Sequence, residues 1–267
     1  LRPAFARTQA DGTFLDVKDV VDLRLNVSTL RAVTTYLRAR DAERFPALIK
    51  MTESVELFPD IEREIERIIN KYGEVKDTAS PQLAEIRRSI LSAQSSISKT
   101  LNAILRQAQA SGIVDKEAAP TIREGRLVIP VSAMNKRKIQ GIIHDESATG
   151  KTAFIEPAEV VELDNQIKEL KFAEQREILR ILLEFTDFLR LYIPDLLDAA
   201  RYLGEIDFLM AKAQIALDFI AGMPIISDNG EINLRKARHP LLERTLKKER
   251  KEIVPLTATL TPQKHIL

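Results

Sequence analysis

Gly141-Ile-Ile-His-Asp-Glu-Ser-Ala-Thr-Gly-Lys-Thr-Ala-Phe-Ile-Glu-Pro157 contains the tripeptide Gly150-Lys151-Thr152, the ending of a phosphate-binding P-loop. Whether it serves that purpose decides the fold. A P-loop needs Gly-x-x-x-x-Gly-Lys-Ser/Thr between a strand and a helix. The first Gly lets the backbone wrap the phosphates, and the helix N-terminus supplies amide donors and a positive dipole end. Here the first-Gly position is Asp145, with Glu146 next, and two carboxylates there would repel phosphate. The residues after Lys151, Thr152-Ala-Phe-Ile155, read as a strand rather than a helix. The tripeptide therefore reads as a loop between two strands, with Gly150 free to take a positive φ.

Outward from this stretch, Arg126-Leu-Val-Ile-Pro-Val131 and Lys138-Ile-Gln-Gly-Ile-Ile143 also read as strands, and Glu124-Gly125 can turn a hairpin from Thr121-Ile-Arg123 into the first of them. A small antiparallel sheet is expected over about 120–156. Two long helical patterns flank it. Ser80-Pro81 is an N-cap followed by Pro at the first helical position. Leu83, Ile86, Ile90, Ala93, Ile97, Leu101, Ile104 and Ala108 then alternate three- and four-residue steps up to Ser111-Gly112, an a/d heptad pattern with a C-terminal stop. Val160, Leu163, Ile167, Leu170, Ile178, Ile181, Phe185, Phe188 and Tyr192 form the second pattern, which Glu174 interrupts and Pro194 ends or kinks. Helices of this size are on the order of 45 Å long. An antiparallel hairpin of helices with the sheet at its far end is the simplest arrangement, and separate burial of the two helices in a globular core is the other.

Elsewhere the pattern is helical, with Leu30, Val33 and Leu37 on one stripe, Ile61, Ile65, Ile68 and Ile69 on another, and an amphipathic helix at about 199–222. Residues 1–15 read as a linker or a severed element. Glu231-Ile-Asn-Leu-Arg235, Ile253-Val-Pro-Leu256 and Lys264-His-Ile-Leu267 read as strands of a further domain. The chain begins with Leu and ends within an apolar run, so it is expected to be a piece of something longer.

The 267 residues are 45% apolar and 30% charged, with 9 Gly and no Trp. Such a chain can bury a core in one large or two to three ordinary domains and is mainly α. A formal net charge of +1 means that any affinity for nucleic acid must come from local patches. Absence of cysteine excludes disulfides and thiolate chemistry and suits a reducing cytoplasm. No apolar run reaches the roughly 20 residues of a membrane span, so no membrane partner is expected.

Five blocks in order resemble the second bacterial type of MutS protein, the branch that carries a C-terminal Smr nuclease domain and lacks the mismatch-reading domain. They are Gly73–Arg87 (GEVKDTASPQLAEIR), Gly125–Val131, Gly141–Gly150, Phe154–Pro157 and Glu205–Ala213, and Ala237-Arg-His-Pro-Leu241 is similar to the segment that precedes the ATPase in all MutS proteins. The resemblance implies a helical core with long antiparallel coiled-coil lever helices carrying a small antiparallel β clamp, and the truncated α/β start of an ATPase domain. Its boundaries would be core 1–79, ascending lever 80–112, clamp 113–156, descending lever 157–193, core again 194–226 and ATPase strands 227–267. The family's P-loop would follow His265-Ile-Leu267, so neither ATP hydrolysis nor the Smr nuclease carries over, and no cofactor is expected in this region; ATP and Mg belong to the full-length parent. Ile253 and Val254 lie where family members place an apolar side chain on adenine. The parent would be a homodimeric clamp acting on branched or double-stranded DNA in recombination suppression, or on ribosomal RNA of stalled ribosomes.

Lys136-Arg137-Lys138 falls between two strands, and Arg123, Arg126 and Lys151 lie in the same small sheet. Basic side chains at the tip of an arm suit sequence-independent phosphate contacts; a solvated turn is the bland reading, and Asp145 and Glu146 offset part of the charge. Arg87, Arg88, Lys99 and Arg106 make one helix face basic, as an ordinary solvated surface would be. A protein-docking arm without nucleic-acid contact is the remaining alternative. Of the three His, His144 sits near Asp145 and Ser147 but no nucleophile elbow supports a triad, His239 before Pro240 reads as structural, and no spacing suggests a metal site.

If Gly150-Lys151-Thr152 is a loop and no more, titration of the chain with a fluorescent ATP analogue will give no saturable micromolar binding. Such binding, abolished by Lys151→Ala, would restore the nucleotide-site reading.

Overall fold

Local chemistry sets the helices of the computed structural model, which describes residues 2–8, 10 and 12–263. The chain divides into two units, Leu1–Ala200 and Arg201–Leu267. In the first, helix α1 (Arg2–Arg7) precedes α2 (Val17–Arg38), which opens on a capping box in which Asp16 and Asp19 accept from each other's backbone amides. The short α3 (Pro46–Lys50) follows, then α4 (Pro59–Ile68) with Ile61, Ile65 and Ile68 buried. Of residues 1–15, expected to be a linker or a severed element, the described ones include a helix and anchoring contacts. Phe5 and Leu15 are buried, and the Leu15 amide donates to Thr186 Oγ1 at 2.9 Å.

Ser80 caps the long helix α5 (Pro81–Ala110), its hydroxyl accepting from the Leu83 amide at 3.0 Å. After α5 come β1 (Thr121–Arg123), β2 (Arg126–Ser132), β3 (Gly141–Glu146) and β4 (Thr152–Pro157), then α6 (Ala158–Leu189). The helices run antiparallel, as the cross-links between their polar seam residues require. Ser80 Oγ donates to Glu177 at 2.6 Å, and Arg87 Nε donates to Glu174 at 2.6 Å. Glu174, which breaks the heptad pattern, thus meets a cation of the facing helix. This register sets the start of α6 beside the region of Leu101, so the last turns of α5 run on past it. There the apolar stripe widens. Leu105 joins the seam residues Ile97, Leu101, Ile104 and Ala108 in a cluster with Ile129, Val131, Ala153, Ile155 and Val160. A strict a/d seam serves a facing helix; this end of α5 faces a sheet as well and needs a broader face.

The sheet is antiparallel in the order β1-β2-β4-β3. Glu124 and Gly125, both at positive φ (49° and 76°), make the expected two-residue turn from β1 to β2. Gly150 takes φ 66° in the loop between β3 and β4, which are strands on both sides, so the Lys-Thr residues do not open a helix. The third strand begins later than its composition suggests. Gly141 pairs with Pro157, and a Cβ there would lie 2.0 Å from the Glu156 carbonyl oxygen. Ala133–Lys138 are drawn instead into a 3-10 turn.

A 3-10 turn, Arg190–Tyr192, separates α6 from α7 (Ile193–Phe219), with Pro194 in the first turn of the new helix. The second unit continues from Arg201 through the rest of α7 to β5 (Ile232–Ala237), α8 (Pro240–Lys248) and β6 (Leu256–Leu260), with β5 and β6 antiparallel. Helix α8 lies between β5 and β6, in a stretch to which no strand was assigned. His239 Nδ1 accepts from the Leu242 amide at 3.3 Å, and Pro240 fills the first helical position. The expected strand at Lys264–Leu267 lies outside the described residues. Among the described residues no helix is long and apolar enough to cross a membrane.

Hydrogen bonds from Arg180, and then from Ser80, hold the buried Glu177 carboxyl below its ordinary value of 4.5, against the burial that pushes it up. A carboxyl depressed on folding stabilises the chain above its unfolded pKa, and that contribution is lost as pH falls through the folded value. Glu177→Gln should cost about 1–3 kcal/mol in urea unfolding at pH 7, and the gap from wild type should narrow below the carboxylate range; a pH-independent gap would contradict this assignment.

Candidate nucleic-acid interface

The expected site residues fall at two ends of one sheet. Pairing of Ser132 with Thr152 and of Glu146 with Ala153 places the 3-10 turn and the Ser147–Lys151 loop at one end. The Ala133 amide donates to the Lys151 carbonyl at 2.9 Å, and Asn135 Nδ2 donates to the Ile113 carbonyl at 3.1 Å. Ile113 follows directly on α5, so this is the outer end, by the top of that helix. The Glu124-Gly125 turn lies at the opposite end, along the first turns of α6.

Arg126 belongs to that inner end. Its guanidinium donates to Asp164 of α6 and lies 3.6 Å from Glu156 Oε1. Glu156 is 2% exposed, and its other oxygen is 2.6 Å from His144 Nε2. Arg126, Asp164, Glu156 and His144 thus stitch β2, β3 and β4 to α6. His144 takes Glu156 as its partner, while the Ser147 hydroxyl accepts from the Thr152 amide at 3.0 Å, so no His–Ser pair forms. Arg123 lies across the Phe154 ring, 4.5 Å from its centroid, and pairs with Asp145 at 3.3 Å.

The outer end differs. Lys136 pairs with Glu146 at 3.2 Å, both side chains half-exposed; such a surface pair is weak and is readily exchanged for another anion. Arg137, Lys138 and Lys151 are exposed, and among the described residues no acid lies within ion-pair distance of them. The six expected cations therefore sort by environment. Arg126 is structural, Arg123 and Lys136 are paired on the surface, and Arg137, Lys138 and Lys151 present free charge at the outer turn and loop. Sequence reasoning missed the Arg126–Asp164 pair because nothing local links positions so far apart in the chain.

In the second unit, Ile253 lines a cleft with Arg238, Glu243, Lys247, Lys251 and Glu252, whereas Val254 is 89% exposed and outside it. Arg238 and Lys247 both pair with the buried Glu243, at 2.8 and 3.2 Å. Among the described residues no three His, Asp or Glu side chains gather as metal ligands.

No family model matches the chain. It is 36% identical over 245 residues to Endonuclease MutS2 of Geobacillus sp. (strain WCH70), covering 91% of this chain and 31% of that protein. Identity to Endonuclease MutS2 of Pelotomaculum thermopropionicum is 34% over 254 residues, covering 95% of this chain and 31% of that protein. With Endonuclease MutS2 of Acetivibrio thermocellus it is 42% over 196 residues, 73% of this chain and 24% of that protein. The chain spans about a third or less of the length of these curated relatives.

The two classes of cation should separate on substitution. Arg126→Met leaves Asp164 and Glu156 without their guanidinium and should destabilise the chain by about 1–3 kcal/mol. Arg137→Met should change stability by less than about 0.5 kcal/mol. Equal effects in urea unfolding would contradict the division.

Proposed function

Since the chain is a MutS2-type sequence, we propose that α5 and α6 are a lever and the four-stranded sheet is a clamp that grips nucleic acid through phosphate contacts. The observation that carries this reading is the free charge of Arg137, Lys138 and Lys151 at the outer end of the sheet, with the remaining cations of the sheet neutralised or tied to the lever. Those three side chains rise from a turn and a loop, joined by the hydrogen bond from the Ala133 amide to the Lys151 carbonyl. A cluster of this kind binds the backbone of a duplex without regard to sequence. Branched or double-stranded DNA is the proposed ligand, in recombination or repair. Ribosomal RNA offers the same phosphates and is a competitor to be tested alongside.

In the whole protein two copies would close their clamps around one duplex, and the lever would carry the state of an ATPase, with ATP and Mg bound outside this region, to the clamp. The lever suits that task mechanically. Its polar cross-links at Ser80–Glu177 and Arg87–Glu174 fix the sliding register of the two helices, and its apolar seam continues into the core of the sheet. A displacement at the base is therefore passed to the clamp as a rigid movement. The region itself contributes binding and carries no catalytic residue in this reading.

Neutralising three phosphates gives a slope of roughly −3 in log K against log salt. The triple variant Arg137→Glu, Lys138→Glu, Lys151→Glu should lose that slope and bind duplex DNA far more weakly by fluorescence anisotropy. Unchanged affinity and slope would remove the sheet from the binding surface and leave the arm as a protein-docking element.

A further inference from the structure

At 92% exposure Met134 is the most exposed large apolar side chain of the first unit among the described residues. Its setting sets it apart from an ordinary stray surface residue. It stands in the 3-10 turn Ala133–Lys138, where three residues make one turn, so side chains three apart eclipse one another. Met134 and Arg137 therefore share an edge, and both are exposed, whereas Ala133, Asn135 and Lys136 are half-buried. The turn is held on both sides, by the Ala133 amide on the Lys151 carbonyl and by Asn135 Nδ2 on the Ile113 carbonyl. An apolar side chain is thus held out in water on a fixed turn, beside Arg137 and Lys138, which have no acidic partner among the described residues.

Apolar side chains flanked by cations enter the minor groove between two base pairs and unstack them, at a cost of a few kcal/mol per step. That cost falls where the stack is already interrupted. We propose that Met134 is a wedge that enters an interrupted base stack while Arg137 and Lys138 hold the flanking phosphates, so that the clamp selects nucleic acid with a branch point or a nick over continuous duplex. This inference rests on the phosphate-binding reading above and adds to it a specificity determinant for one structural class of DNA. The cations supply affinity to any duplex, and the thioether side chain supplies the preference.

The test compares a three-way DNA junction carrying 2-aminopurine at the branch point with a continuous duplex of the same length, by anisotropy and by 2-aminopurine fluorescence. Wild type should bind the junction at least about tenfold more tightly and brighten the 2-aminopurine as it unstacks. Met134→Ala should lose the preference and the brightening while its affinity for continuous duplex is unchanged, and Met134→Leu should keep both. The side chain is almost wholly in solvent, so neither variant should alter folding, which urea unfolding would check. Retention of preference and brightening in Met134→Ala overturns the wedge, as does a wild type without preference. If that happens while the Arg137, Lys138 and Lys151 charge reversal still weakens both DNAs, the phosphate reading stands without the wedge. If the charge reversal leaves both affinities unchanged, both readings fail together.

Discussion

The apolar contact between the last turns of α5 and the inner face of the sheet is the constraint on which the rest of the first unit depends. The apolar face of the sheet is taken out of water by packing against a helix, as a small sheet's stability requires. Here Leu101, Leu105 and Ala108 supply the missing layer, and Ile129, Val131, Ala153 and Ile155 close on them from above. Each of the Leu, Ile and Val side chains among them adds on the order of 1.5–3 kcal/mol when fully buried. The contact exists only because α5 overruns the start of α6, and that overrun is set by the register that Ser80–Glu177 and Arg87–Glu174 impose far below. Polar contacts near the base therefore fix the site at which an apolar cluster can form near the top.

The same geometry sorts the charges. One end of the sheet lies against the first turns of α6, where Arg126 meets Asp164, and the 3-10 turn and the Ser147–Lys151 loop lie at the other. At the inner end Arg126 meets the helix and is bound by Asp164, while Arg123 pairs with Asp145 of β3. At the outer end Glu146 pairs with Lys136, and Arg137, Lys138 and Lys151 have no acid within ion-pair distance among the described residues. Glu156 completes the inner end. It is nearly inaccessible, held by His144 and close to Arg126, and removal of either partner would leave a buried carboxylate exposed to the full cost of desolvation.

Much of this was legible in the residues because the signals were local and strong. The Ser80-Pro81 cap, the apolar stripe on each long helix, the Glu124-Gly125 turn and the carboxylate at Asp145 that argues against a P-loop each act within a few positions. What the sequence hid was set by contacts across the chain. Lys138–Ile143 is rich in β-branched residues and reads as one strand, yet the close approach of Gly141 to Glu156 begins the strand there, and Asn135 on Ile113 curls the preceding residues into a turn. His239 before Pro240 reads only as structural, and the structure makes it the cap of a helix that Pro240 opens. Residues 1–15 lack strong periodicity, and the contacts that anchor the described ones come from Thr186 and Arg190, far along the chain. Among the site residues, the basic composition of the sheet was visible and the division of its cations into structural and free was not.

The central claim is that the helix pair holds the sheet's outer turn well away from the base of the hairpin. The chain has no cysteine, so Thr78→Cys and Met134→Cys would place two spin labels at exposed positions, one beside the start of α5 and one on the outer turn. Pulsed electron–electron resonance should give one narrow distance distribution on the order of 45 Å, the length of a helix of this size. A short distance, or a broad distribution extending to short separations, would mean that the sheet folds back or swings freely, and would contradict the account.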